Sequence, residues 1–134
     1  MSSATVPLPH VLLAEDNELV CGAMRVLSEE TGHRITTVPT IVAAVDAAMR
    51  GDVDLLLLDL GLADGDGLEV LTKLRSAGTM PRVVVALTGR DEPDVVAACR
   101  TAGCHDVLLK PVPARELLRR VEGWLATPRQ RPSA

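Results

Sequence analysis

Residues 54–67 read DLLLLDLGLADGDG, and this stretch decides the fold. Four consecutive leucines, Leu55 to Leu58, run straight into Asp59, and a turn-rich loop follows at once. A short unbroken apolar run is the pattern of a strand buried on both faces. An ionisable residue at the end of such a strand sits at the rim of a sheet, where α/β proteins place their sites.

The flanking sequence repeats the theme. His10 to Ala14 (HVLLA) is a short apolar run ending in Glu15-Asp16-Asn17, and reads as another buried strand. Asp16 or Asn17 caps the helix that follows, with Leu19, Val20, Ala23, Met24 and Leu27 at helical spacing and Thr31-Gly32 as its stop. His33 to Val38 is β-branched and gives a second strand, after which Thr40 caps an alanine-rich helix through Met49 that Gly51 closes. The third strand is Asp54 to Leu58. Asp66-Gly67 opens a third helix, with Leu68, Leu71 and Leu74 inward and Ala77-Gly78 at its end. Arg82 to Leu87 carries the most β-prone run, VVVAL, and Thr88-Gly89 ends it. Asp91 is the expected cap of a fourth helix that begins near Pro93 and stops at Gly103. Asp106 to Leu109 is a fifth strand, ended by Lys110-Pro111. A last helix starts at Pro113, with Leu117, Leu118, Val121, Trp124 and Leu125 inward.

Five strands alternating with five helices imply a parallel sheet covered on both faces through right-handed crossovers. Among doubly wound α/β sheets, five strands fit the flavodoxin-like order 2-1-3-4-5, a (βα)5 fold. In that order the first and third strands are neighbours. Glu15, Asp16 and Asp59 then share one crevice, and Thr88 and Lys110 reach it from the next two strands.

Composition bounds the function. At 134 residues the chain is long enough for one domain with a real core, 47% hydrophobic and 24% charged. Aromatic residues are nearly absent, with Trp124 alone and no Phe or Tyr. No apolar run approaches the roughly 18 residues of a membrane span. MSSATVPLPH lacks the basic region and apolar core of a signal peptide, and the odd set Cys21, Cys99 and Cys104 suits a reducing compartment; a cytoplasmic location is expected. Cys99, Cys104 and His105 lack the spacing of a zinc site. A net charge of −4 argues against direct nucleic-acid binding. From Lys110 onward there are six Lys/Arg against two Asp/Glu, while residues 1–109 carry eight against sixteen. That basic end is read as a solvated helix face plus tail, or as a surface for a protein partner.

Three carboxylates brought together repel one another. At about 5 Å and an effective dielectric near 20, each pair costs on the order of 3 kcal/mol. Lys110 alone is placed to compensate them, and a hard divalent cation on oxygen ligands, Mg2+, resolves the rest. Asp59 is then a candidate nucleophile that takes a phosphoryl group as a mixed anhydride. Lys110 would neutralise the phosphoryl oxygens, and the Thr88 hydroxyl would donate a hydrogen bond to one of them.

With these residues in order, residues 9–126 resemble the receiver domain of two-component response regulators. The matching pieces are VLLAEDN (Glu15, Asp16), LLLLDLGLADGDGLEVL (Asp59), VVVALTG (Thr88) and CHDVLLKPV (Lys110-Pro111). The resemblance implies that Asp16 and Asp59 bind Mg2+ directly, that Glu15 acts mainly through water and that the Gly61 carbonyl adds a ligand. It also implies a cis Lys110-Pro111 bond, and a histidine kinase or phosphotransfer protein as the phosphoryl donor. Such a module catalyses only its own phosphorylation and dephosphorylation, and signals through an unknown protein target. The last strand and helices, with Arg115, Arg119 and Arg120, are the expected surface for that target or for a homodimer. Residues 1–8 and 127–134 are expected to be disordered, and no output domain is read in the chain. A free-standing regulator, a phosphate shuttle and a piece of a hybrid kinase all fit.

Two positions depart from the family pattern. Ala63 stands where Pro is common, which loosens the loop. Val107 stands where an aromatic residue usually swings inward as the threonine moves; a β-branched side chain with a stiff χ1 has no such arm. The expected relay therefore runs through the Thr88–Asp91 loop and the fourth helix. Gly61 and Arg90, two residues beyond Asp59 and Thr88, flank the site; Gly61 leaves it open, while Arg90 either covers it or points to solvent. Three other readings compete. A degenerate receiver would act by fixed contacts without phosphorylation. A haloacid-dehalogenase-type phosphatase could use Asp64 and Asp66, although Asp64 follows a loop. A flavin-binding domain would have to place phosphate where the acids lie.

Overall fold

Asn17 sets where the first strand gives way to the first helix: its side chain accepts hydrogen bonds from the amides of Leu19 (2.9 Å) and Val20 (3.3 Å). In the computed structural model, which describes residues 8–90 and 92–126, the order is β1 (His10–Ala14), α1 (Glu18–Thr31), β2 (Arg34–Val38), α2 (Ile41–Ala48), β3 (Leu55–Asp59) and the short strands β4 (Gly61–Leu62) and β5 (Gly65–Asp66). Then follow α3 (Leu68–Ala77), β6 (Val83–Thr88), α4 (Pro93–Ala102), β7 (Asp106–Leu109) and α5 (Ala114–Ala126). The main sheet is parallel, ordered β2-β1-β3-β6-β7, which is 2-1-3-4-5 when its own strands are counted.

The leucine run does what its pattern requires. Leu56 and Leu58 face a core shared with Ile41, Ala44 and Ala47 of α2, Val70, Leu71 and Leu74 of α3, and Cys99 of α4. Leu55 and Leu57 face the opposite core, with Cys21, Met24 and Leu27 of α1 and Leu117, Leu118 and Val121 of α5. Successive strand residues point to opposite faces, so a strand covered on both must be apolar throughout. All four leucines have no exposed surface, each worth about 1.5–3 kcal/mol of burial. The order of the strands then brings the C-terminal ends of β1, β3, β6 and β7 to one edge.

Several boundaries differ from the sequence reading. Asp59 is the last residue of β3 itself, in register with Leu87, and the strand starts at Leu55; the Asp54 carboxylate instead accepts the His10 amide at 2.8 Å. Leu19, expected inward, is 85% exposed. It lies ~140° round the helix from Met24, so the buried stripe is Cys21, Met24, Leu27 and Ser28. In α3 the buried set is Val70, Leu71 and Leu74, with Leu68 half-buried. The loop after Asp59 holds a small antiparallel hairpin, pairing Gly61 with Asp66 and Leu62 with Gly65. Glu92 occupies the cap position of α4 without a side-chain cap bond; Asp91, expected there, lies outside the described residues. The segments 1–7 and 127–134, expected to be disordered, also lie outside them. Among the described residues no helix is long and apolar enough to cross a membrane.

Candidate functional site

β1 ends at Ala14, and the next residue turns inward: Glu15 is buried, its amide bonded to the Val38 carbonyl at 2.9 Å, while Asp16 beside it is exposed. Asp59 at the end of β3 and Thr88 at the end of β6 are also buried. Lys110 follows β7, and its amide donates to the Thr88 carbonyl at 2.7 Å. All five line one crevice of about 670 Å3, with Gly61 and Asn17. The six residues singled out in the sequence, Glu15, Asp16, Asp59, Gly61, Thr88 and Lys110, are therefore brought together. The Lys110-Pro111 peptide is cis.

The contacts divide the work among them. The Lys110 ammonium lies 3.2 Å from Asp59 Oδ2 and 3.3 Å from Glu15 Oε1, so one cation serves two buried carboxylates. Asp59 Oδ1 accepts the Gly61 amide at 3.0 Å, and Glu15 Oε2 accepts the Asn17 amide at 3.1 Å. Thr88 Oγ1 accepts from the Arg90 amide at 3.1 Å, and its O–H can donate into the crevice. Arg90 borders the site with its guanidinium held by Glu92, at 3.0 Å from both Nε and a terminal nitrogen.

The electrostatics agree with crowded acids. Burial pushes the Glu15 carboxyl above its ordinary range, and the adjacent Asp59 adds to the shift, with the Asn17 amide and Lys110 opposing it. Burial works against the Lys110 charge, but Asp59 and then Glu15 together outweigh it and lift the ammonium above the usual lysine value. Ligand oxygens of Glu15, Asp16 and Asp59 all lie within 4.8 Å of one another. One ammonium cannot neutralise three carboxylates, and it touches neither oxygen of Asp16 closely enough to pair with it. A set of hard oxygen donors with surplus negative charge, open to solvent through Asp16, fits a hard divalent cation.

Some neighbours carried no signal of their own. Asp66, Asp94, Val95 and Ala98 complete the crevice wall, the last three from α4. Gly67 is buried, and a Cβ there would stand 2.3 Å from the Asp59 carbonyl oxygen, so no side chain fits. The turn between Leu62 and Gly65 is Ala63-Asp64, a pair without the Asn-Gly or Asp-Gly signature of a tight hairpin, so nothing local revealed β4 and β5. Asp64 itself lies away from the crevice: its carboxylate accepts the amides of Ile41 (2.8 Å) and Val42 (3.4 Å) at the start of α2. That placement removes the two-aspartate arrangement that a dehalogenase-type site needs. Val107 is half-buried, paired with Ala86 and packed on the core beneath α4. Cys21, Cys99 and Cys104 are buried free thiols, and burial, with Cys99 beside it, pushes Cys104 up to about 12. His105 Nδ1 accepts the Val84 amide at 2.9 Å.

Residues 11–122 match the family model described as the response regulator receiver domain. The chain is 34% identical over 114 residues to the KDP operon transcriptional regulatory protein KdpE of Escherichia coli (strain K12), covering 85% of this chain and 50% of that protein. It is 31% identical over 130 residues to the sensory/regulatory protein RpfC of Xanthomonas campestris pv. campestris, covering 95% of this chain and 18% of that one. The chain thus spans about half the length of several curated relatives it matches, and less of RpfC. Among solved structures it is similar to the receiver domain of sensor histidine kinase PA1611 from Pseudomonas aeruginosa PAO1. The TM-score is 0.76 at 29% identity, covering 90% of this chain and 100% of that one. That structure is described with a magnesium ion coordinated in the active-site cleft. A two-component response regulator from Clostridium difficile gives a TM-score of 0.76 at 25% identity, over 87% of this chain and 95% of that one.

Proposed function

This chain belongs to the response regulator receiver domain family, and from that premise we propose that Asp59 is its phosphoryl acceptor. The donor is a phosphohistidine on a histidine kinase or phosphotransfer protein. An Asp59 carboxylate oxygen attacks phosphorus, the O–P bond forms as the N–P bond breaks, and the departing imidazole keeps its electron pair. Mg2+ held by Asp16, Asp59 and the Gly61 carbonyl, with Glu15 acting through water, would neutralise phosphoryl oxygens as charge gathers on them. Lys110, already within 3.2 Å of Asp59, turns its ammonium to a second phosphoryl oxygen, and the Thr88 O–H donates to a third.

The observation that carries this reading is the shared lysine: three acids converge on one crevice, and a single ammonium bridges the two buried ones. That arrangement leaves surplus negative charge that a divalent cation would offset, and the cation together with Lys110 would then receive the anionic phosphoryl oxygens. In this reading the chain catalyses nothing beyond its own phosphorylation and dephosphorylation, in the cytoplasm and without direct contact to nucleic acid. Its output is a protein contact through β7 and the helices beside it. There Glu116 holds both Arg119 and Arg120, while Arg115 borders a groove with Val26 and Leu27 of α1. The same face would serve a homodimer. With Val107 half-buried against the core and too short to swing as an aromatic arm, the signal leaves by way of Thr88, Arg90 and α4. Incubation with acetyl phosphate and Mg2+ tests the acceptor: wild type is expected to take one phosphoryl group, and Asp59→Asn none. A wild type that stays unlabelled would favour a phosphorylation-independent binding module.

A further inference from the structure

The loop that follows the acceptor carries Gly61, yet its own ladder is one pair of two-residue strands, too short to be stable alone. Three contacts outside that ladder hold it. At its far end the Gly67 amide donates to the Leu60 carbonyl at 3.0 Å, a closure that only glycine permits beside Asp59. Along its side, Leu62 is buried in the core with Ile41, and Gly65, at φ +143°, sits so close that a Cβ would stand 3.2 Å from Ile41 Cδ1. At its tip the Asp64 carboxylate accepts the Ile41 and Val42 amides.

The last contact joins two elements 23 residues apart in sequence. The first amides of a helix have no partner within it. In α2 the helix's own cap deals with one of them, since Thr40 Oγ1 accepts from Ala43 at 3.1 Å, and the Thr40 carbonyl accepts from Ala44 at 3.0 Å. The Ile41 and Val42 amides are left, and Asp64 takes both. The same bonds, the Ile41 amide first, hold its carboxyl below the usual range.

We propose that Asp64 is a positioning residue for the acceptor site: its clamp on α2 fixes the hairpin, hence Gly61, hence the oxygens offered to a cation beside Asp59. The inference rests on the metal-assisted reading above only where Mg2+ is concerned. Gly61 is the link in either case, because its amide is the donor to Asp59 Oδ1.

Three variants of the full chain separate this from ordinary helix capping. Asp64→Ala removes the clamp, Asp64→Asn keeps an oxygen that accepts from Ile41, and Thr40→Ala removes a cap bond from the same helix without touching the loop. Hydrogen exchange of the Gly61 amide, measured in chelator, is expected to speed up in Asp64→Ala and to stay at the wild-type rate in the other two. Mg2+ affinity, titrated by calorimetry, is expected to fall roughly tenfold in Asp64→Ala, as for the loss of groups that orient metal ligands. Asp64→Asn is expected to restore most of it, and Thr40→Ala to bind as wild type does. Equal Gly61 exchange in Asp64→Ala and wild type overturns the clamp. So does a Thr40→Ala protein that loses as much protection and affinity, because α2 stability alone would then explain both. A wild type that binds no Mg2+ overturns the metal-assisted reading instead, and Gly61 exchange still decides the clamp.

Discussion

Replacing Asp16 by Asn should make the metal-free protein more stable. Ligand oxygens of Asp16 lie within 4.8 Å of those on both Glu15 and Asp59. At that distance two full charges repel by about 3.5 kcal/mol at an effective dielectric of 20, and by about 0.9 kcal/mol in bulk water. Asp16 is exposed, so the lower figure governs, and Lys110 cancels part of the charge on the other two. The expected gain is about 1 kcal/mol, or about 4 °C in Tm for a domain of this size. Thermal unfolding followed by circular dichroism in chelator at low salt measures it directly. Added salt should shrink the difference, because the exposed charge is screened. Saturating Mg2+ should reverse the order, since only wild type keeps its full ligand set; at 100 times Kd the bound ion contributes about 2.7 kcal/mol. A metal-free Asp16→Asn protein no more stable than wild type would refute the repulsion that the cation site rests on.

Other outcomes follow from the same geometry. Gly67→Ala places a methyl group 2.3 Å from the Asp59 carbonyl oxygen, where only backbone could give way; a loss of about 1–3 kcal/mol and slower labelling by acetyl phosphate are expected, and a wild-type Tm would contradict the contact. The Ile41 amide, with that of Val42, holds the Asp64 carboxyl below the ordinary aspartate range, so the stabilisation it supplies is complete above that range and is lost as pH falls through the depressed value. The Tm gap between wild type and Asp64→Ala should therefore be level at neutral pH and close only in the acid limb; a gap that closes near neutrality would place the stabilisation elsewhere. On adding beryllofluoride with Mg2+, amide shifts should be large at Thr88, Arg90 and α4 and small at Val107. A large repacking of Val107 would contradict this route and restore the relay that its short side chain does not supply.

How much of this was legible in the sequence follows from the range of the forces involved. Leu55 to Leu58 announced a strand buried on both sides because the two-residue period leaves a doubly covered strand no polar position. The strand order followed, and with it the meeting of Glu15, Asp16, Asp59, Thr88 and Lys110. Leu19 misled because helical spacing alone does not say which of two apolar stripes is covered; α5 and the sheet choose Met24, and Leu19 is left in water. The hairpin after Asp59 reads as plain loop in the sequence because glycine and aspartate mark turns without marking the short ladder beside them. Glu15 and Asp16 look alike in sequence, yet one is buried against Lys110 and the other exposed, a difference set by the Val38 and Asn17 contacts. The Asp64 clamp is a tertiary contact with no local pattern at all.

Reduction with borohydride tests the central claim most directly, because it converts an aspartyl phosphate, and not a free carboxylate, to homoserine. After treatment with acetyl phosphate and Mg2+, peptide sequencing by mass spectrometry should find homoserine at position 59 alone, and none when Mg2+ is chelated. Homoserine at position 16, 64 or 66, or at no position in a folded Mg2+-bound protein, would contradict the assignment of Asp59 as the acceptor.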